Sequence, residues 1–206
     1  MMKGSTLVTA PRERLIRTTV ELIQSRGVSG VAVTELLDRS GTARQSIYTH
    51  FPQGKNQLIE ASARAAGSWI SAMIEQLCSA PPLEALQAFI DYWKSMIVSS
   101  DYTAGCPIAA ATFGGNEIPG AVDAAKIAFE EWESMLANNF RAANLDDALA
   151  QSLSTMTIAA IEGAVIMSVA TRSTRPLDRV GKHLTELLEA HLSENHEREP
   201  VLRQQN

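Results

Sequence analysis

The sequence predicts an all-α protein: a small N-terminal bundle of three helices, then a larger helical domain. Three observations carry that expectation. Apolar residues recur at helical spacing in one segment after another. No segment shows sustained strand alternation between turn signals. Gly and Pro punctuate the chain at Gly27, Gly41, Pro81-Pro82 and Gly114-Gly115. At 206 residues, 45% of them apolar, the chain is long enough to bury a real core.

Residues 1–9 are expected to be a flexible arm. Thr9 can cap the first helix, with Pro11 in its first turn. Leu15, Ile16, Thr19, Leu22 and Ile23 face a core, and Gly27 ends the helix. A short second helix carries Val33, Leu36 and Leu37 and stops at Gly41, where a left-handed backbone costs nothing. Arg44 to His50 form a third helix with one inward anchor, Ile47. Its other side chains are Arg44, Gln45, Ser46, Tyr48, Thr49 and His50. All can hydrogen-bond and none is acidic. That suits a helix lying in the major groove, where base edges and phosphates take donors and cations.

The segment Ser40-Gly-Thr-Ala-Arg-Gln-Ser-Ile-Tyr-Thr-His-Phe-Pro52, followed by Gly-Lys-Asn-Gln-Leu58, resembles the recognition segment of the TetR family of transcriptional repressors. A Tyr-x-His-Phe element ends that family's recognition helix and a Lys begins the next. Here these are Tyr48, His50, Phe51 and Lys55. The Pro52-Gln-Gly-Lys55 form and Gly105-Cys-Pro-Ile108 are similar to the LmrA/YxaF-like branch. Two positions depart from the pattern. Ala32 stands where many members have a capping Thr or Ser that touches a phosphate, and Leu37 stands where Ala is usual. The resemblance implies a homodimer on a palindromic operator in double-stranded DNA, released by a small-molecule effector. The DNA-contacting set it implies is Thr34, Arg44, Gln45, Ser46, Tyr48, Thr49, His50 and Lys55.

The charge distribution agrees. Net charge is −5, but residues 1–60 hold eight Lys/Arg against five Asp/Glu, or +3, and the remainder holds ten against eighteen, or −8. A cationic head on an acidic body suits a DNA-reading domain attached to another domain. The expected division is residues 1–54, a helix-turn-helix domain; 55–192, a ligand-binding and dimerisation domain; and 193–206, a polar disordered tail.

In the second part a long helix runs from about Lys55 to Ser79, stopped by Pro81-Pro82. Another carries Leu86, Phe89, Ile90, Trp93 and Ile97. A short helix runs from Cys106-Pro107 through Phe113 and is broken by Gly114-Gly115-Asn116. The next spans about Pro119 to Ala143. Asp146 to Thr171 is apolar on several faces, so it should be buried on several faces. Met156, Ala160, Gly163 and Met167 there, with Val180, Leu184, Leu187 and His191 on the last helix, recur at heptad spacing. Two such helices from each of two subunits would close a four-helix bundle, Gly163 allowing close approach. The other reading is an ordinary intramolecular core.

Trp69, Met73, Phe89, Trp93, Met96, Phe113, Trp132 and Met135, with Cys106, are the candidate effector-pocket residues. Aromatics and flexible methionines can line an adaptable cavity. Few cations lie on these faces, so an apolar or aromatic, uncharged effector is expected.

No catalytic constellation is legible. Glu130, Glu131 and Glu133 read as solvated charge. Cys78 and Cys106 lack metal-ligand spacing, so no metal and no cofactor are expected. Two buried thiols are preferred to a disulfide, which spacing alone does not exclude. The run Ile158 to Ala170 is interrupted by Glu162 and is too short to span a bilayer, and no signal peptide opens the chain. A cytoplasmic protein without a membrane partner is expected. The alternative function is a helical small-molecule-binding protein or enzyme with a vestigial helix-turn-helix, which would not need an acid-free third helix.

Overall fold

The structure is a computed structural model that describes the backbone of residues 10–203 and the side chains of residues 10–193. Among them lie nine α-helices: α1 Pro11–Arg26, α2 Val33–Ser40, α3 Arg44–His50, α4 Lys55–Leu77, α5 Pro82–Ser99, α6 Pro107–Ala111, α7 Pro119–Ala142, α8 Asp147–Thr171 and α9 Arg175–Arg203. A 3-10 helix, Thr112–Glu117, joins α6 to α7. The described residues contain no strand, and the all-α expectation holds.

The chain forms two compact units. One holds residues 10–66 and 107–125, the other 67–106 and 126–203. The division expected at 54/55 therefore falls elsewhere. The first half of α4 stays with the head because Leu58, Ile59 and Ala63 are fully buried there. The head also takes α6, which the sequence had given to the second domain. Ile108 and Ala111 are completely buried, and α6 packs against α1.

The three N-terminal helices are each too short to hold alone. α1 buries Leu15, Ile16, Val20, Leu22 and Ile23, α2 buries Leu36, and α3 buries only Ile47. Ala10, with no side-chain cap, precedes α1; the proposed cap Thr9 and the rest of the arm lie outside the described residues. Gly41 is left-handed (φ 60°, ψ 37°), as the turn between α2 and α3 requires. Arg14 closes the carboxyl end of α2, its Nε donating to the Ser40 carbonyl at 3.0 Å. Beyond α6 the helix tightens rather than stops, and the backbone reverses at Gly115 (φ 53°, ψ −146°), a conformation that essentially only Gly adopts.

In the second unit α5, α8 and α9 pack on one another. At Gly181 of α9 an added Cβ would stand 2.8 Å from Ile90 Cδ1 of α5, so this residue sets the approach of the two helices. Lys94 of α5 reaches Asp178 of α9 at 2.7 Å. Asp146 caps α8, accepting from the Leu149 amide at 3.0 Å. Asn139 donates to the carbonyls of Cys78 and Ala80, both at 2.9 Å, which finishes α4.

Two expectations need correction here. α9 runs on through Arg203, past the boundary at 193 where a disordered tail was expected. Residues 193–199 are polar but contain neither Gly nor Pro to stop a helix; residues 204–206 lie outside the described residues. Glu131 and Glu133 are also not merely solvated. Trp132 Nε1 donates to Ser71 Oγ at 3.0 Å, Ser71 donates to Glu131 Oε2 at 3.0 Å, and Glu133 accepts from Thr155.

Candidate nucleic-acid interface and effector cavity

The outward side of α3 is built by default. Ile47 is 2% exposed and locks the helix onto the head, so the side chains on the other side must face out. Arg44, Gln45, Tyr48 and Thr49 are exposed; Ser46 and His50 are half-buried. Thr49 Oγ1 donates back to the Gln45 carbonyl at 2.9 Å. No described carboxylate pairs with Arg44 or His50. Thr34, at the start of α2, is exposed too. Ala32 precedes α2 without a side-chain cap, as the departure from the family pattern implied.

Lys55 is the first residue of α4 and, among the described residues, forms no salt bridge. The turn before it is held by the Gly54 amide donating to the Phe51 carbonyl at 2.8 Å, with Gly54 at φ 78°. The amide of Gln53 donates to Gln57 Oε1 at 3.0 Å, a reach-back that leaves the helix start defined.

Other head arginines, which sequence counting had treated as free charge, have structural jobs. Arg26 meets Glu35 at 2.8 Å and Arg39 meets Glu21 at 2.9 Å, tying α1 to α2. The Arg12 guanidinium lies 5.4 Å above the Phe51 ring. The spacing of these residues could have suggested surface pairs, but not which helix each would cross to.

The candidate cavity residues separate. Trp93 and Trp132 are 0% and 1% exposed, fully core. Trp69 is 50% exposed and Phe113 83% exposed, so neither lines an interior space. Helical periodicity gave Trp69 an inner position, but Ile70 and Ile74 hold that row of α4. Phe113 belongs to the other unit. Met73, Met96 and Met135 are half-buried. An apolar cleft lies among Ile74, Leu77, Leu86, Phe89, Leu136, Phe140 and Thr157; of the candidates only Phe89 lines it. Its empty space, about 370 Å³, includes the open solvent at its mouth.

The residue that sequence reasoning passed over is Glu162. The residue is half-buried; its Oε2 is wholly shielded and has no hydrogen-bond partner among the described residues. Cys106, 4% exposed, donates its thiol hydrogen to the carboxylate. Burial pushes the Glu162 carboxyl up to about 7, against the opposing pull of the Cys106 hydrogen bond. An acid in the middle of an apolar run was the available signal. Cys78 and Cys106 are not joined in a disulfide, and burial raises the half-buried Cys78 thiol.

The raised carboxyl has a stability consequence. Between the ordinary value of 4.5 and about 7, the folded chain keeps a proton that the unfolded chain has released. The stability this group contributes is full below the unfolded value and is lost as pH rises through the folded one. Between about pH 5 and pH 8 the loss should be about 2 kcal/mol. In Glu162→Gln that part of the pH dependence disappears. Urea unfolding of both proteins at the two pH values checks it; identical pH dependence would mean a solvated carboxylate.

On α8, Met156, Ile166 and Met167 are 38%, 58% and 57% exposed, and a Cβ at Gly163 would meet nothing within 4 Å. The same helix is, by length and composition, apolar enough to cross a membrane, but Leu153, Ile158, Ile161 and Val165 bury its other side in the second unit. Ala160, Val180, Leu187 and His191 are half-buried. Leu184 is a correction to the expected interface: it is 7% exposed within its own chain, because Gly181, three residues before it, draws α9 onto α5.

Comparison with known proteins bears on both parts. Residues 15–62 match the family described as bacterial regulatory proteins, tetR family. Residues 82–183 match the C-terminal domain of LmrA/YxaF-like transcriptional regulators. An uncharacterized HTH-type transcriptional regulator of Mycobacterium tuberculosis is 34% identical over 190 residues, covering 89% of this chain and 97% of that one. The HTH-type transcriptional regulator LmrA of Bacillus subtilis is 27% identical, covering 86% and 96%. Among solved structures, the regulatory protein TetR from Rhodobacter sphaeroides superposes with a TM-score of 0.78 at 21% identity, covering 85% and 97%. A TetR transcriptional regulator from Legionella pneumophila gives 0.77 at 20%, covering 88% and 99%.

Proposed function

The chain belongs to the TetR family of transcriptional regulators, and from that premise we propose that it is a cytoplasmic homodimeric repressor which leaves a palindromic operator when a small molecule binds its second unit. The observation that carries the DNA-reading half is the outward side of α3. Arg44, Gln45, Tyr48 and Thr49 stand exposed on a helix held by one buried residue, with no acid among them. A helix kept only as scaffold has no reason to exclude acids. Arg44, Gln45, Tyr48 and Thr49 take base edges; Thr34, Ser46, His50 and Lys55 lie nearer phosphates. The amides at the start of α4 favour a phosphate beside Lys55. Selection of bound fragments from random genomic DNA at two salt concentrations tests this reading. Recovery of an inverted repeat at both supports it; recovery of unrelated fragments whose binding vanishes with salt refutes it.

The outer stripe of α8, flanked by α9, is the proposed seam between two copies. Gly163→Leu should weaken the dimer. Nothing in the chain itself lies within 4 Å of a Cβ there, so the single subunit accepts the change. Sedimentation at micromolar concentration should show monomer; a dimer of undiminished stability would remove Gly163 from the seam.

For the switch, α4 and α7 each pass from one unit into the other. An effector wedged among Ile74, Phe89 and Phe140 pushes on the second half of α4, whose first turn follows the recognition helix. The Gly105-Cys-Pro-Ile108 corner and Gly115 absorb the backbone change. The effector must bind the DNA-incompetent shape better, and operator must then weaken effector binding by the same factor.

A further inference from the structure

Helices α5 and α8 both end in left-handed backbone, and none of the residues that adopt it is a glycine. Asp101 and Tyr102 follow α5 at φ 51° and 59°, and Arg172 follows α8 at φ 47°. The turns close the helices: the Tyr102 amide donates to the Ile97 carbonyl at 2.9 Å, and the Ser173 amide to the Ser168 carbonyl at 3.1 Å. Asp tolerates this conformation, but a Tyr or an Arg is strained in it. Strained residues persist where their surroundings hold them, and they gather at parts of proteins that switch.

One side chain grips both strained residues of the α5 end. The Arg172 guanidinium pairs with Asp101, Nη2 to Oδ1 at 2.7 Å, and donates through Nη1 to the Asp101 carbonyl at 3.1 Å. It also lies 5.6 Å from the centre of the Tyr102 ring. The two paired side chains are 58% and 81% exposed, and an ion pair so open to water returns little. Grip and strain are therefore closely balanced.

Residues 101–106 form a strap between α5 and α6, and the far end of the strap is fastened to the same helix. Cys106 donates its thiol hydrogen to Glu162 of α8. Glu162 and Arg172 are separated by about 15 Å of helix, so the strap is tied to α8 at two distant points. The Cys106 tie is buried, and the Arg172 tie stands in water. Past the strap the chain enters α6, which packs on α1, and α1 packs on α3.

We propose that Arg172, Asp101 and Tyr102 form a latch on this strap, closed in the operator-binding state, which makes Arg172 a positioning residue for DNA recognition. This rests on the DNA-reading function above and goes beyond it. With the latch closed, the chain enters α6 along one path. With it open, Tyr102 relaxes out of the left-handed region and the path is no longer unique. An inverted repeat demands one spacing of the two α3 helices, and a loose strap spreads that spacing at a cost in specific affinity. Contacts to phosphates do not depend on the spacing in the same way, so sequence-independent binding survives.

The test uses the full-length protein and sheared genomic DNA. Arg172→Ala removes the guanidinium and keeps a non-glycine residue at the end of α8; a melting temperature close to the parent's establishes that it folds. Hydrogen exchange at the amides of residues 103–111 should quicken by about tenfold. Affinity for the fragments that the parent enriches should fall about tenfold, with low-salt binding to random DNA unchanged. Tyr102→Gly added to Arg172→Ala lets the turn close without the guanidinium, so exchange and enrichment should both largely recover. An arginine that merely stabilised the fold would not be rescued by a glycine. Arg172→Lys keeps the charge without the fork and should fall between parent and alanine. Unchanged exchange in Arg172→Ala, faster exchange with enrichment intact, or a loss that Tyr102→Gly does not reverse overturns the proposal. A parent that enriches no fragment refutes the DNA-reading function itself; a parent and an Arg172→Ala protein that enrich fragments equally refute the latch alone.

Discussion

Trp93→Ala is expected to lower stability by about 3–5 kcal/mol, whereas Trp69→Ala should change it by no more than about 0.5 kcal/mol. Trp93 is completely buried, with Phe89 and Tyr92 edge-on to its ring, so truncation leaves a hole that the surrounding core closes only in part. Trp69 is half exposed, and its removal takes little surface out of contact. Thermal or urea unfolding of the two variants measures the contrast directly. Similar losses for both would mean that Trp69 is covered in the dimer. A mild effect of Trp93→Ala would mean that the ring borders space rather than protein. The result also governs how Trp93→Ala can be used, since loss of effector response in an unfolded protein says nothing about a pocket.

Arg44→Ala should cost about 1–3 kcal/mol of affinity on the cognate operator and relax the preference at one base pair of each half-site. The premise is that Arg44 is exposed at the first position of α3 with no acidic partner among the described residues to neutralise it. A guanidinium gripping guanine loses two hydrogen bonds on the specific site and much less on random DNA. Lys55→Ala provides the contrast. It should weaken specific and random DNA alike and lower the slope of log affinity against log salt by about one. Equal losses on both kinds of DNA for Arg44→Ala would move Arg44 to the phosphates; an unchanged slope for Lys55→Ala would take Lys55 off them.

The head was legible in the sequence for a physical reason. Short helices joined by a tight turn need particular residues at particular places, so Gly41, Ile47 and the Tyr48–Phe51 element leave local marks. The second unit leaves fewer. Its helices are long, and their apolar rows follow from periodicity, but which row meets which neighbour is decided at a distance. Trp69 and Trp93 looked equivalent by spacing; Ile70 and Ile74 took the inner row of α4 and left Trp69 outside. Leu184 looked like a seam residue until Gly181 drew α9 onto α5. Assigning residues 107–125 to the head also needed tertiary contacts, since nothing in Pro107–Ala111 says that α1 will cover it. Glu162 was visible as an interruption of an apolar run, but its lone oxygen depends on where Cys106 lands.

The pairing of Arg26 and Arg39 with acids, and of Arg14 with the end of α2, bears on how the protein finds its site in a cell. Arg26 and Arg39 stay partly exposed, but the acids they pair with offset their charge, and residues 61–206 are acidic on balance. Random stretches of chromosome then offer little to hold on to, because sequence-independent affinity comes almost entirely from phosphates. The expected search is dominated by free diffusion and brief landings, with short sliding runs between them. Fewer molecules are sequestered along the genome, so a small number of copies suffices to keep the operator occupied.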